Sequence, residues 1–208
     1  MARNRLLAIL ACVVGVLVLA YLAYQAGALG GGPRSGPRAS APGEGRALIG
    51  GPFQMVDQSG APVSEAVLKG RWSAVFFGFT FCPDVCPGTL QALTAARAQL
   101  GPKADALRIV FISVDPDRDT PAQLKGFLSG GGAPASTIAL TGSPAQADAA
   151  ARAYRVYHRK VGEGATYSVD HSTAIYLMDP QGGFNRVIAY HSPPEEIARQ
   201  IKAAMAGR

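Results

Sequence analysis

Apolar positions along the chain fall into an unbroken run at the start and an alternation of strand-like and helix-like patterns from residue 46 onward. The run, Leu6 to Tyr24 (LLAILACVVGVLVLAYLAY), holds 19 residues without a charge. A helix of that length spans roughly 28 Å at ~1.5 Å per residue, close to the hydrocarbon thickness of a bilayer. Residues 6–24 are therefore expected to form a transmembrane helix. Arg3 and Arg5 in segment 1–5 hold the N-terminus in the cytoplasm and send the rest across. Tyr21 and Tyr24 fit an interfacial belt at the far end.

Two other readings of this run compete. A cleaved secretory signal would carry a shorter apolar stretch. A lipid anchor at Cys12, after Ile9-Leu10-Ala11, would leave hydrophobicity continuing past the cleavage box. The length favours an uncleaved single-pass anchor, and all three readings place the remainder outside the cytoplasm. Five residues before the span leave no room for an Arg/Ser-rich mitochondrial presequence. The expected site is a bacterial inner membrane, with the soluble part on the periplasmic side.

Residues 25–45 are rich in Gly, Pro, Ala and Ser and read as a flexible linker. From Arg46 to Arg208 strand and helix signals alternate. Trp72 to Phe79 (WSAVFFGF) is continuous enough for a buried central strand, Leu107 to Val114 is a second, and Ser136 to Leu140 a weaker third. Thr173 to Met178 and Arg186 to Tyr190 flank Asp179-Pro180-Gln181-Gly182-Gly183, a hairpin signal. Pro52 to Leu68 is expected to form an N-terminal β-hairpin around Asp57-Gln58-Ser59-Gly60.

Three helix starts share one pattern: Thr120-Pro121-Ala122-Gln123, Ser143-Pro144-Ala145-Gln146 and Ser192-Pro193-Pro194-Glu195. Each offers a hydroxyl N-cap, a proline at the first helical position, and Gln or Glu three residues after the cap. The resulting order is β-α-β-α-β-α, then a β-hairpin and a last helix. That is an α/β, thioredoxin-like fold with an N-terminal β-hairpin extension.

Charge excludes one class of function. The net charge is +6, but Arg3, Arg5, Arg34 and Arg38 precede residue 46, leaving 16 basic and 13 acidic residues in the folded part. No basic stripe interleaved with aromatics appears there, so a nucleic-acid surface is excluded.

Chemistry concentrates at Cys82 and Cys86, the only thiols beyond the apolar run. Cys86-Pro87-Gly88-Thr89 resembles the three helix starts with sulfur in place of oxygen, which predicts Cys86 at an N-cap. Unpaired N–H groups and the helix dipole lower a thiol pKa there. Two sulfurs three residues apart can form a disulfide or, reduced, face one metal ion. A merely stabilising disulfide would close a very small loop with little entropic gain.

The topology brings the residues before the strand at Thr173, Asp170-His171-Ser172, beside the cysteines. His191 falls one strand farther out, and His158 lies in a basic surface segment. Two thiolates and the imidazole of His171 make a soft three-ligand set suited to Cu(I), with Cu(II) admitted by a fourth ligand. Zinc would ask for four ligands. Asp84 and Asp170 flank the set and are read as orienting His171, facing a partner, or simply forming turns. In Asp115-Pro116-Asp117-Arg118-Asp119-Thr120 loop geometry is the expected role.

With these residues in view, the sequence resembles the Sco/SenC family of copper chaperones for cytochrome c oxidase. The resemblance covers nearly all of Gly50 to Met205. It rests on Gly51-Pro52-Phe53, Asp57-Gln58, Phe77-Gly78-Phe79-Thr80-Phe81-Cys82-Pro83-Asp84-Val85-Cys86-Pro87, Ser113-Val114-Asp115-Pro116 through Asp119-Thr120, Asp170-His171-Ser172 and Tyr176-Leu177-Met178-Asp179-Pro180. It implies copper ligation by Cys82, Cys86 and His171, a single N-terminal anchor, and assembly of the dinuclear copper centre in the copper-bearing oxidase subunit. A copper donor and a thiol reductant are the further partners implied.

The alternative is a thiol–disulfide oxidoreductase that keeps the oxidase cysteines reduced. Such enzymes use C-x-x-C, whereas the spacing here is one residue longer. A peroxidase reading fails because Phe79 and Pro83 stand where a Thr or Ser would precede the reactive cysteine.

Overall fold

A computed structural model of the chain describes residues 13–22 and 49–207. Residues 13–22 form a helix, α1, within the apolar run. Among the described residues no helix is long and apolar enough to cross a membrane. The expected span 6–24 extends at both ends beyond the described residues, and segment 1–5 and linker 25–45 lie outside them.

The unit Arg46–Arg208 is built on a seven-stranded sheet. Its chain order is β1 (Gln54–Asp57), β2 (Pro62–Ser64), β3 (Trp72–Gly78), α2 (Val85–Ala98), β4 (Leu107–Ser113), α3 (Pro121–Gly130), β5 (Ile138–Thr141) and α4 (Pro144–Ala153). A separate hairpin of β6 (His158–Val161) and β7 (Ser168–His171) follows, then β8 (Ile175–Met178), β9 (Phe184–Ile188) and α5 (Pro194–Ala206). Strands lie in the order β2-β1-β5-β4-β3-β8-β9. The three central strands are parallel, and β8 runs antiparallel beside β3 with Phe76 opposite Ile175.

Every residue of β3 is buried, which is why it reads as a continuous apolar run rather than an alternation. Its side chains alternate between two cores. Trp72, Ala74 and Phe76 join Leu90, Leu93, Leu124, Ile197 and Ile201 from the helices on one face. Val75 and Phe77 meet Tyr154, Tyr176 and Met178 on the other. The sheet is thus covered on both sides, and only its strand ends are free to carry chemistry.

The N-terminal hairpin forms where expected. Asp57 Oδ1 accepts from the N–H groups of Ser59 and Ala61 at 2.8 and 3.1 Å, and Gly60 takes φ 84° in the turn. Two of the three helix starts also hold. Thr120 accepts from Gln123 N–H, and Ser143 and Gln146 close a reciprocal capping box. The third differs: Pro193, not Ser192, is the N-cap of α5. Pro194 opens the helix, and the residue before a proline is held extended, so Pro193 occupies the cap and Ser192 falls one position too early.

The β6–β7 hairpin has no counterpart in the sequence reading. Its strands are HRKV and SVDH, mostly exposed, with His158 and His171 half-buried and Val169 alone buried. Lacking an apolar period, such strands give no signal. Here they are tied down by polar contacts instead.

Candidate metal centre

The site forms at the carboxyl end of β3, where the chain leaves the sheet. Cys82 N–H donates to Phe79 O at 3.2 Å, folding the loop back so that its sulfur faces the start of α2. The N-cap of α2 is Asp84, and Cys86 is its second residue rather than the cap expected above. The pattern misleads because Pro87 stands third in the helix, not first. A proline fits there too, since the first N–H groups of a helix have no intrahelical partner. Asp84 makes no side-chain cap, and Cys82 Sγ serves in its place, accepting from Cys86 N–H at 3.4 Å.

Both cysteines are free thiols; Cys86 is buried and Cys82 half-exposed. They share one proton unequally. The Cys82 thiol is pulled down to about 3, chiefly by a hydrogen bond from Cys86, with burial opposing and His171 and the N–H groups of Cys86 and Asp84 assisting. Donating that bond, together with burial, pushes the Cys86 thiol far up. Cys82 is therefore the more acidic thiol of the pair and Cys86 its hydrogen-bond donor.

His171 ends β7 instead of leading into the strand after it. Its Nδ1 lies 2.9 Å from Ser172 O, which can only accept, so that nitrogen carries a proton, and Nε2 faces Cys86 Sγ at 3.8 Å. The ring packs edge-on against Phe79, centroids 5.9 Å apart. The three residues singled out in the sequence are thus together. Among the described residues no three His, Cys, Asp or Glu side chains are drawn into a tight metal cage. The arrangement is two sulfurs and one imidazole side by side.

The flanking acids do not hold the imidazole; the carbonyl of Ser172 does. Asp170 pairs with Arg159 at 3.4 Å on the exposed side of the hairpin. Asp84 stands exposed at the head of α2, lining a cleft of about 250 Å³ with Gly88, Thr89, Tyr190 and His191. His191 is exposed and stacks on Tyr190. His158 is no free surface residue: its Nε2 pairs with Asp148 at 3.1 Å.

The sequence reading missed a buried polar support beneath the site. Asp119, fully buried, accepts from Thr80 N–H at 3.1 Å, Thr80 Oγ1 at 2.6 Å and Ser113 Oγ at 2.6 Å. This clamps the cysteine loop to the end of β4. Asp115, also buried, accepts from Tyr167 OH and Arg118 Nε, each at 2.6 Å, and so binds the β6–β7 hairpin to the loop between β4 and α3. The signal was available: three acids crowd directly after a buried strand, where unpaired charge is costly.

Residues 41–206 match the SCO1/SenC family. The protein SenC of Rhodobacter capsulatus is 42% identical over 161 residues, covering 76% of this chain and 72% of that protein. The mitochondrial SCO1 homolog 1 of Arabidopsis thaliana is 43% identical over 145 residues; those residues are 69% of this chain but only 43% of that longer relative. Among solved structures, Bradyrhizobium japonicum ScoI with copper bound superposes with a TM-score of 0.68 at 42% identity, covering 74% of this chain and 98% of that one. The match spans the cysteine loop, the hairpin bearing His171 and the sheet that joins them, and this chain belongs to the SCO1/SenC family.

Proposed function

We propose that the chain is a membrane-anchored copper carrier that loads the dinuclear copper centre of cytochrome c oxidase, with Cys82, Cys86 and His171 as ligands. The observation that carries this reading is the Nε2 of His171 facing Cys86 Sγ at 3.8 Å, with the more acidic Cys82 thiol alongside. Two sulfurs and one imidazole form a soft set that suits Cu(I). Copper is the cargo: it enters on the half-exposed side of Cys82 and His171, and leaves by exchange onto a docked acceptor's ligands. Copper-bound relatives of the same fold support the choice of metal. The apolar run 6–24 supports an anchor that keeps the carrier at the outer face of a bacterial inner membrane. A copper donor, a thiol reductant and the copper-bearing oxidase subunit complete the cycle.

The more acidic thiol and its hydrogen-bond donor favour a second reading, thiol–disulfide exchange. Cys82 attacks a partner disulfide, Cys86 resolves the mixed disulfide, and the chain ends as a Cys82–Cys86 disulfide with the partner carrying two thiols. A thiol reductant then restores the pair. The full chain, reduced and in detergent, separates the two. Retention of about one copper ion against a competing chelator, lost in His171→Ala, supports the carrier. Undiminished disulfide exchange with no copper uptake overturns it.

A further inference from the structure

Arg118 touches both halves of the site without touching any of the three proposed ligands. Its Nε donates to Asp115 Oδ2 at 2.6 Å. One terminal nitrogen donates to the carbonyls of Tyr167 at 2.9 Å and Ala165 at 3.4 Å, both on the turn that joins β6 to β7. The guanidinium lies 3.6 Å from the Tyr167 ring centroid, 4.7 Å from that of Phe81 and 5.8 Å from that of Phe79. Its other terminal nitrogen is buried with no hydrogen-bond partner, and the aromatic faces take the place of one.

Phe81 precedes Cys82, and Tyr167 lies on the hairpin that carries His171. The hairpin buries little apolar surface, so its position depends on contacts of this kind. Phe81 is itself half-exposed, and a large aromatic left in that state is held by its neighbours rather than by a core. We infer that Arg118 is a positioning residue that sets the distance between His171 and the two thiols by gripping the cysteine loop and the hairpin at once. The inference rests on the ligand role proposed for His171, but the geometry it claims exists without metal.

A lysine keeps the charge yet lacks the planar fork and the stacking face, so it cannot hold both sides. The test uses the reduced, copper-free full chain in detergent micelles, read by the proton–proton contact between the His171 and Phe79 rings in nuclear magnetic resonance. Arg118→Lys and Tyr167→Leu should weaken that contact several-fold. Asp117→Asn, which breaks only the hairpin's pair with Lys160, should leave it intact. The same Arg118→Lys chain, loaded with Cu(II), should shift its thiolate-to-copper absorption toward that of His171→Ala. A contact of full strength in both Arg118→Lys and Tyr167→Leu overturns the inference, as does equal loss in Asp117→Asn. A chain that takes up no copper but loses the ring contact as described overturns the copper reading and supports this one.

Discussion

Gly78 and Cys86 approach so closely that a β-carbon on residue 78 would lie 2.4 Å from Cys86 Sγ and 3.0 Å from the Phe111 ring. The last residue of β3 has no side chain because the first turn of α2 puts its sulfur there. Gly78→Ala is expected to displace Cys86, costing about 1–3 kcal/mol of stability through overpacking. Copper retention should fall roughly 10–100-fold, the range seen when a ligand loses its support. Thermal unfolding and chelator competition on the same sample check both.

The shared proton makes the two thiols kinetically unlike. The hydrogen bond from Cys86 holds the Cys82 thiol below the ordinary range, so its alkylation rate should depend less steeply on pH between about 5 and 8 than an ordinary thiol's. An ordinary thiol would gain about tenfold per unit over that interval. Buried Cys86 should label last. Mass spectrometry of partly alkylated, reduced protein distinguishes the two positions.

The histidines should separate cleanly. His171→Ala is expected to lower copper retention by at least about tenfold. His158→Ala should leave it unchanged, although the two residues stand opposite each other in the β6–β7 register. It should cost no more than about 1 kcal/mol, from the partly exposed pair with Asp148. Copper titration of each variant and of the parent decides.

Asp119→Asn tests the support under the cysteine loop. An amide would turn N–H donors toward one of three donor groups, an expected loss of about 1–3 kcal/mol. Burial holds the Asp119 carboxyl above its ordinary 3.8, its hydrogen bonds only partly opposing. The folded state therefore keeps this proton more firmly than the unfolded chain. Its contribution is full below pH 3.8 and declines as pH rises through the raised folded value. The parent should therefore lose stability relative to the variant, which has no such proton, as pH rises across that window, read from the two melting temperatures.

The central sheet and its helices were legible because their causes are local. An unbroken apolar run such as Trp72 to Phe79 has no stable place except a buried strand, and Thr120 and Ser143 cap their helices with their own neighbours. The helix starts went astray at Ser192 and Cys86 because a proline fits several positions of a first turn, so the pattern fixes the helix and not its first residue. The β6–β7 hairpin was invisible, since strands reading HRKV and SVDH are stabilised by partners far along the chain.

For the site, the residue types and spacing alone determined which side chains to examine: two thiols one helical turn apart and a histidine near a strand end. How they meet was decided only by tertiary structure. Which thiol holds the proton, which atom orients His171 and what braces the loop all depend on contacts spanning tens of residues, such as Thr80 with Asp119 and Arg118 with Tyr167. Hydrogen bonds and ring stacking act at a few ångströms and leave no period in a sequence. They exist only once the sheet has brought their partners together.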